Sequence, residues 1–544
     1  MTATMKKLAV SLVLVVAGLG VGCFETSPKR QGEFSHPLCQ VHFAGALQLA
    51  KDTNSAKISR ILALPATGDL RKFALGKLAK APQAFWRGVL PPDGGDQSAL
   101  VQPLLDDLWE AETYLEVRGP TNRAETVLAI ELNNGRAGLW STNLWKLMEA
   151  WRLGTPGEMT SSGFKGWEAK RQTVAPSLVQ FVRAEKWVLI GFGPGPLKML
   201  PALAQQVAKG GRPITPLNGS FLEAEVDFPR LEGWFPSFAS YRLPFSRMVM
   251  AGKGENIRTE VRMQYSDPIP WTFEPWKIPT HMITEPLISF TVGQGIAPIL
   301  GQFDSVKRLG LKTLPSQFCL WGQGYDNCQS FLTLPMANPS NVIQTIAPVV
   351  PQIVKGQMKD SMGEFGWKSN KAELVWFGLP FIVPHLRPAW DGKEGFLFAE
   401  LFPMSPRTNS PPPELFGQVI GQKDLVYYDW EITQARLPHA RQMYQLYNIV
   451  NRRQMIPSTA PTEKWLAAIA PLLGNTVTEV RKSSAKELTL VRKSHLGMTG
   501  FELVTLARWI DSPGFPLAFQ APPPTLRPPA RAVPKSPAAK PPQP

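Results

Sequence analysis

Four apolar strand candidates begin at near-regular intervals along the chain, and this spacing limits the folds that are open to it. They start at residues 127, 222, 331 and 426, in steps of 95, 109 and 95 residues. After each of them the sequence pattern predicts a helix, a two-stranded hairpin and a second helix. We therefore expect an α+β fold of four degenerate β-α-β-β-α repeats of about 100 residues, with antiparallel sheets that carry helices on one face. The alternative is that a mixed α and β sequence produces this pattern by chance.

The predicted elements fill most of the chain from residue 47 onward. Residues 47–115 have a mostly helical pattern. The expected opening strands are 127–132, 222–227, 331–334 and 426–432, and the expected hairpins pair 178–183 with 187–191, 248–251 with 258–265, 374–383 with 395–402 and 477–482 with 487–493. Thr499 and Glu502 have the spacing of a capping box, so a helix should follow Thr499. The order of elements resembles that of uncharacterised multi-repeat exported bacterial proteins.

Composition excludes several classes of protein. Hydrophobic residues make up 44% of the 544 residues, which is ordinary for a globular protein and excludes a chain that is disordered throughout. The 53 prolines and the lack of a glycine period exclude collagen and coiled coil, and four cysteines are too few for a disulfide scaffold. The single long apolar run, residues 8–22, excludes a polytopic membrane protein.

That apolar run has the organisation of an export signal. Lys6 and Lys7 precede it, and its fifteen residues are too few to span ~30 Å of hydrocarbon. It ends in Gly20-Val21-Gly22-Cys23, which resembles a bacterial lipoprotein signal. The resemblance implies acylation of Cys23 and a lipid anchor, and Phe24 in place of a retention aspartate implies the outer membrane or the periplasmic face of the envelope. Cleavage with release and an uncleaved anchor are the alternatives.

If the chain is exported, its remaining cysteines, Cys39, Cys319 and Cys328, lie in an oxidising compartment. An oxidising compartment allows a disulfide, and Cys319 and Cys328 flank a glycine-containing segment typical of a hairpin tip. We therefore predict a disulfide between Cys319 and Cys328. A metal site is the alternative, but no histidine is near and the spacing fits no zinc pattern. Cys39 should then be a buried, unpaired thiol.

The net charge of +15 bears on the partners. Two positive charges lie in the signal and four in residues 521–544, a segment with ten prolines and no acidic residue that should be a disordered basic tail. The remaining +9 is modest for residues 23–520, and no basic run is interleaved with aromatic residues, so we expect no nucleic acid partner. An exported basic protein instead meets anionic envelope polymers, glycans and lipid head groups.

Two groups of residues are candidate ligand sites. Glu223, Glu225 and Asp227 alternate with aliphatic residues, so on a strand the three carboxylates share one face. Such a row can bind a cation or supply an acid and a base, and the alternative is the solvated face of an antiparallel sheet. Trp271 and Trp276 lie in a proline-rich loop, where indoles can stack on sugars or hold a partner. For the tryptophans the alternative is ordinary packing.

No linear motif identifies a catalytic site. The six histidines include no i, i+4 pair, and neither a nucleophile elbow nor a phosphate-binding loop is present. We therefore expect a non-enzymatic binding or scaffolding role in the envelope, with no cofactor and no resident metal. The alternative is an envelope hydrolase that acts on glycans through carboxylates which only the fold brings together. The expected domains are the signal peptide (1–22), a lipidated and mainly helical region (23–120), repeats 1 and 2 (121–315), repeats 3 and 4 (316–520) and the tail (521–544).

Overall fold

The computed structural model describes most of the chain between residues 37 and 516. The described ranges are 37–85, 95–120, 123–159, 164–171, 177–232, 242–271, 273–324, 329–357, 362–368, 373–379, 382–402, 409–451 and 455–516. The predicted signal peptide, Cys23, Cys328 and the proline-rich tail lie outside the described residues.

In this part of the chain, twenty strands form one open antiparallel sheet with fifteen α-helices packed on it. The strands are β1 Cys39–Phe43, β2 Thr113–Arg118, β3 Glu125–Glu131, β4 Thr155–Glu158, β5 Gly166–Arg171, β6 Ser177–Ala184, β7 Trp187–Gly193, β8 Ser220–Asp227, β9 Phe245–Lys253, β10 Asn256–Gln264, β11 Leu287–Gln294, β12 Gln317–Gln323, β13 Ser330–Pro335, β14 Glu364–Trp367, β15 Leu374–Phe377, β16 His385–Asp391, β17 Glu394–Glu400, β18 Leu425–Ile432, β19 Asn475–Ser484 and β20 Glu487–Ser494. The helices are α1 Ala46–Leu49, α2 Ala56–Leu62, α3 Pro65–Phe85, α4 Ser98–Glu110, α5 Asn134–Ala150, α6 Met199–Gly210, α7 Phe228–Leu231, α8 Ala297–Leu300, α9 Asp304–Lys307, α10 Pro339–Ile346, α11 Val350–Gln357, α12 Pro413–Gly417, α13 Thr433–Val450, α14 Pro461–Ile469 and α15 Gly500–Asp511.

Strand pairing divides the sheet into two similar halves. From edge to edge the order is β4-β5-β6-β7-β3-β2-β1-β8-β9-β10, followed by β20-β19-β18-β11-β12-β13-β17-β16-β15-β14. Counted from its own outer edge inward, the second half has the same strand order as the first, with every strand number raised by ten. The halves join where β10 pairs antiparallel with β20, and Glu260 faces Val491 there. Because these strands are equivalent, an approximate two-fold axis passes through this pair.

The prediction of four equivalent repeats is not confirmed. In the first predicted unit the opening strand β3 pairs with the second hairpin strand β7, whereas in the second unit β8 pairs with the first hairpin strand β9. The third unit matches the first, because β13 pairs with β17, and the fourth matches the second, because β18 pairs with β19. Ten strands are therefore the repeated set. The chain passes from one half to the other in residues 265–286, whereas the sequence predicted a boundary after residue 315.

Helices pack on both faces of the sheet, so the prediction of one covered face is wrong. On β3, Ile130 packs with α5, while the adjacent Ala129 points to the opposite face and packs with α6. Both faces of β3 are apolar, which allows helices on both sides. The face that carries α5 also carries α2–α4, α10, α11 and α13–α15, and we call it the helical face. The opposite face carries α6 in the first half and α12 in the second.

A layer of helices connects the two halves. Leu70 of α3, from the first half, packs with Leu466 of α14 and Leu503 of α15, from the second. The helix α15 begins at the predicted capping box, which is confirmed. The Glu502 N–H donates to Thr499 Oγ1 at 3.2 Å, and the Thr499 N–H donates to Glu502 Oε2 at 2.8 Å.

Three of the four predicted hairpins are confirmed, namely β6–β7, β9–β10 and β19–β20. The fourth differs, because β17 pairs with β16 and not with residues 374–383. The second helix expected after the β9–β10 hairpin is replaced by the short helices α8 and α9. Strands β1, β2, β4, β5, β11, β14 and β16 were not predicted, and β12 was implied only by the hairpin tip expected between Cys319 and Cys328.

The cysteines do not support the predicted disulfide. Cys319 is a free, buried thiol on β12, and burial raises its pKa. The ladder places Thr333 opposite Cys319, and the Gln323 N–H bonds to the Gln329 carbonyl oxygen at 3.1 Å. Cys328, the other member of the predicted pair, lies outside the described residues. Cys39 is free and buried as predicted, and burial raises its pKa to about 12.

Candidate functional site

The middle of the sheet is exposed on the side that carries α6 and α12. No described helix covers this side of β8, β9, β10, β20 and β19, and the charged side chains of its ion pairs are a quarter or more exposed, for example Glu225 at 25% and Arg247 at 54%. Directly paired residues share a face of the sheet. One such row across the five strands consists of Glu223, Val249, Glu260, Val491 and Glu479. We call this exposed surface the central face.

Basic side chains flank that row on both sides. Arg247 of β9 lies directly opposite Arg262 of β10, and Arg258 of β10 lies directly opposite Lys493 of β20. We call these the two basic pairs. They lie two residues to either side of Glu260, which is about 7 Å along the strand in each direction. Charge therefore alternates along the strands of the central face.

A hollow of about 580 Å³ lies on the second-half side of this face, over β19 and β20 and bordered by Arg258 of β10. Its lining includes Arg258, Glu479, Arg481, Val491 and Lys493. Carboxylate–arginine pairs of the central face include Glu225–Arg247 at 3.4 Å, Glu260–Arg258 at 2.6 Å and Glu479–Arg481 at 2.9 Å. The surface is thus built from rigid strands whose charged groups are fixed relative to one another.

The predicted carboxylate row is divided between two roles. Glu223, Glu225 and Asp227 do share one face of β8, and the first two reach Arg247 at 4.0 and 3.4 Å. Asp227 instead caps α7, because its Oδ1 accepts the Arg230 N–H at 3.2 Å. The described residues contain no group of three or more His, Cys, Asp or Glu side chains placed to hold a metal ion.

The two candidate tryptophans pack in the segment that connects the halves. Trp276 donates its indole N–H to the Gln422 carbonyl oxygen at 3.2 Å and packs on the core beneath α12. Trp271 lies against Gly295, where a Cβ atom would come within 2.9 Å of the indole, and its ring centroid is 6.4 Å from that of Phe273. Both indoles are partly buried, which agrees with the packing alternative.

A second unusual feature lies on the helical face, where the two halves differ in chemistry. One row of paired residues in the first half is Val41, Ala224, Met248 and Val261. The equivalent row in the second half is Thr291, Asp429, Thr478 and Arg492. Because aliphatic side chains fill the same positions in the first half, the fold does not require polar groups there. We call these four polar residues, with Glu431, Arg436 and His439, the polar cluster.

Burial of the two carboxylates in the polar cluster disfavours their ionised form. Asp429 accepts a hydrogen bond from Thr291 Oγ1 at 2.6 Å, and burial raises its pKa. Glu431 Oε1 accepts from the Gly500 N–H at 2.7 Å and from Thr433 Oγ1 at 2.8 Å, so it contacts the first residues of α15 and α13. The pKa of Glu431 is raised to about 7, mainly by burial and secondly by the nearby charge of Asp429.

A serine and a histidine meet in this cluster, but not in the arrangement of a nucleophile and its base. Arg436 bonds to His439 Nδ1, and since a guanidinium only donates, Nδ1 accepts and the ring proton is on Nε2. That nitrogen lies 3.1 Å from Ser330 Oγ and 3.3 Å from the Gln329 carbonyl oxygen. In this tautomer Nε2 cannot take a proton from Ser330.

The described residues contain no helix that is both long and apolar enough to cross a membrane. No protein-family model matches the chain, no curated protein matches it, and no solved structure matches it. The central face and the polar cluster are therefore interpreted from their own geometry.

Proposed function

We propose that this protein is an exported envelope lipoprotein with a non-enzymatic binding or scaffolding role, and that the central face is its binding surface. The observation that supports this is an exposed, charged face five strands wide, bounded by α6 and α12 and with a hollow over β19 and β20. Charges fixed on rigid strands suit recognition, because they are preorganised. The lipid anchor would hold this surface at the membrane.

The ion pairs of the central face favour recognition over hydrolysis. A glycosidase needs one carboxyl group that can donate a proton and a second that acts as base or nucleophile. Here Glu225, Glu260 and Glu479 each lie within 3.4 Å of an arginine side chain, so each carboxylate is engaged in an ion pair. To test binding, the purified mature chain is sedimented with isolated envelope fragments. Retention in the pellet is expected, and a chain that stays in solution at low salt contradicts the proposal.

Acylation of Cys23 is the prediction on which the location depends. The wild-type chain, expressed in a bacterial host, should incorporate labelled palmitate and fractionate with membranes, and Cys23→Ala should lose both properties. Cys39→Ala is the matched control, since Cys39 is a buried free thiol, and it should keep the label. Intact mass after globomycin treatment identifies the uncleaved precursor. A mature protein without lipid, or one that begins elsewhere, would overturn the proposal of a lipid anchor.

We also propose that the two halves arose by duplication of a ten-strand unit. Support comes from the identical strand order and from the equivalent positions of α6 and α12, which follow β7 and β17. The four-repeat version would need a further duplication within each half followed by a change of strand partner. Superposition of residues 37–264 on 287–494 by strand order tests the two-fold version, and failure of the five central strands to superpose would contradict it.

A further inference from the structure

We propose that the central face binds a linear acidic glycan through the two basic pairs, Arg247–Arg262 and Arg258–Lys493. This inference rests on the proposed binding role and adds the chemistry of the partner. Like charges directly opposite each other on neighbouring strands destabilise a sheet. The β10 members of the two basic pairs, Arg258 and Arg262, are four residues apart in the sequence. An anionic ligand would convert both pairs from repulsive contacts into paired binding sites.

Part of this positive charge is not neutralised within the protein. The ion pairs of the described residues use Arg247 and Arg258, but neither Arg262 nor Lys493. Both Arg262 and Lys493 are exposed. The basic pairs lie four residues apart along β10, or about 14 Å, so one extended chain lying along the strands can reach both.

The row between the basic pairs favours a sugar chain over a uniform polyanion. Glu260 lies between the pairs, with Val249 and Val491 directly beside it on the neighbouring strands. A carboxylate at this place repels a phosphate backbone but accepts hydrogen bonds from hydroxyl groups. The two valines offer apolar surface to the C–H face of a sugar ring. Acid groups, hydroxyl groups and apolar ring faces occur together in an acidic glycan.

The flanking helices disfavour a flat membrane as the ligand. α6 packs on β3 and β7, and α12 packs beside β11 and β18, on the same side of the sheet as the central face. A helix on a sheet stands about 10 Å above it, so a planar bilayer would meet the helices before the basic pairs. A single extended polymer can lie between them.

The test uses the purified mature chain and polygalacturonate oligosaccharides, with binding followed by calorimetry. Replacing one member of each basic pair, in Arg262→Gln with Lys493→Gln, should weaken binding at least tenfold and leave the thermal midpoint unchanged or higher, because the like-charge contacts are relieved. The matched control is Arg60→Gln with Lys464→Gln, which removes the same charge from exposed positions on α2 and α14. This control should bind as the wild type does.

Other probes separate the alternatives. Glu260→Gln should strengthen the binding of inorganic polyphosphate much more than that of polygalacturonate, because the glutamine removes the charge that repels phosphate and keeps an oxygen that accepts hydrogen bonds from hydroxyl groups. Equal loss in the basic-pair variant and its control would mean unspecific charge attraction and would overturn the inference, as would tighter binding of polyphosphate, single-stranded DNA or phosphatidylglycerol vesicles by the wild type. If the wild type binds envelope fragments and the basic-pair variant still does so, the glycan inference fails and the proposed function stands. If the wild type binds neither, both fail.

Discussion

Replacing Glu431 with glutamine should stabilise the protein at pH 8 by on the order of 3 kcal/mol and have a much smaller effect at pH 5. Burial raises the pKa of Glu431 from 4.5 to about 7, and each pKa unit corresponds to about 1.4 kcal/mol. The glutamine keeps an oxygen that can accept the hydrogen bonds from the Gly500 N–H and from Thr433. The variant therefore removes a buried charge while it preserves the contacts with α13 and α15.

The direction of the pH dependence follows from proton binding. The folded state holds the Glu431 proton more tightly than the unfolded chain does, because the pKa is raised by folding. Stability from this group is therefore highest below about pH 4.5, falls as the pH rises towards 7, and stays low above it. Asp429 acts in the same direction, since burial also raises its pKa. The difference between wild type and variant should grow with pH over this window.

Denaturant unfolding at pH 5 and pH 8, followed by tryptophan fluorescence, measures this difference. Glu479→Gln is the matched control, because it removes a one-third exposed carboxylate from the neighbouring strand, and its effect should stay within about 0.5 kcal/mol at both pH values. A Glu431→Gln variant with the same free-energy change at pH 5 and pH 8 would show that Glu431 does not take up a proton on folding.

Sequence patterns correctly predicted elements whose residues are close together in the sequence. The hairpin β9–β10 and the capping box of Thr499 and Glu502 are set within a few residues of each other, and both are confirmed. The strand β16 was missed because Pro388 lies inside it, and proline argues against a strand. Among the described residues β15 pairs with β16 only at His385 and Leu386, so the described ladder on that side stops before Pro388. β11 was missed because Ser289 and Thr291 interrupt its apolar residues, although every residue of the strand is buried.

The candidate site could not be predicted from local sequence patterns, because it is formed by residues that strand register brings together. Alternation along the sequence was enough to place Glu223 and Glu225 on one face of a strand. Arg247 lies opposite Arg262 only because of the register between β9 and β10. Arg258 lies opposite Lys493 only because the two halves of the sheet join at β10 and β20. The polar cluster was missed for a related reason. Asp429 and Glu431 alternate with aromatic residues on β18, a pattern that predicts a solvated face, yet α13 and α15 cover that face.

The helix layer between the halves provides the second large effect, at Glu463. This carboxylate is 2% exposed, and it pairs with Arg508 of α15, which is 1% exposed, and with Arg441 of α13. Glu463→Gln should destabilise the protein by about 3–5 kcal/mol, because it leaves the buried Arg508 with only Asp511, at 3.4 Å, as an anionic partner. The measurement is the free energy of unfolding in guanidinium chloride at pH 7.

The double variant Glu463→Leu with Arg508→Met shows whether the cost comes from the uncompensated charge or from lost packing. A buried ion pair can often be replaced by apolar residues of similar size with little loss, so the double variant should regain most of the stability that Glu463→Gln loses. These residues lie in the layer where α3 of the first half packs on α14. Hydrogen exchange in both helices should therefore speed up in Glu463→Gln. If the double variant is as unstable as the single one, packing around Glu463, and not its charge, holds the halves together.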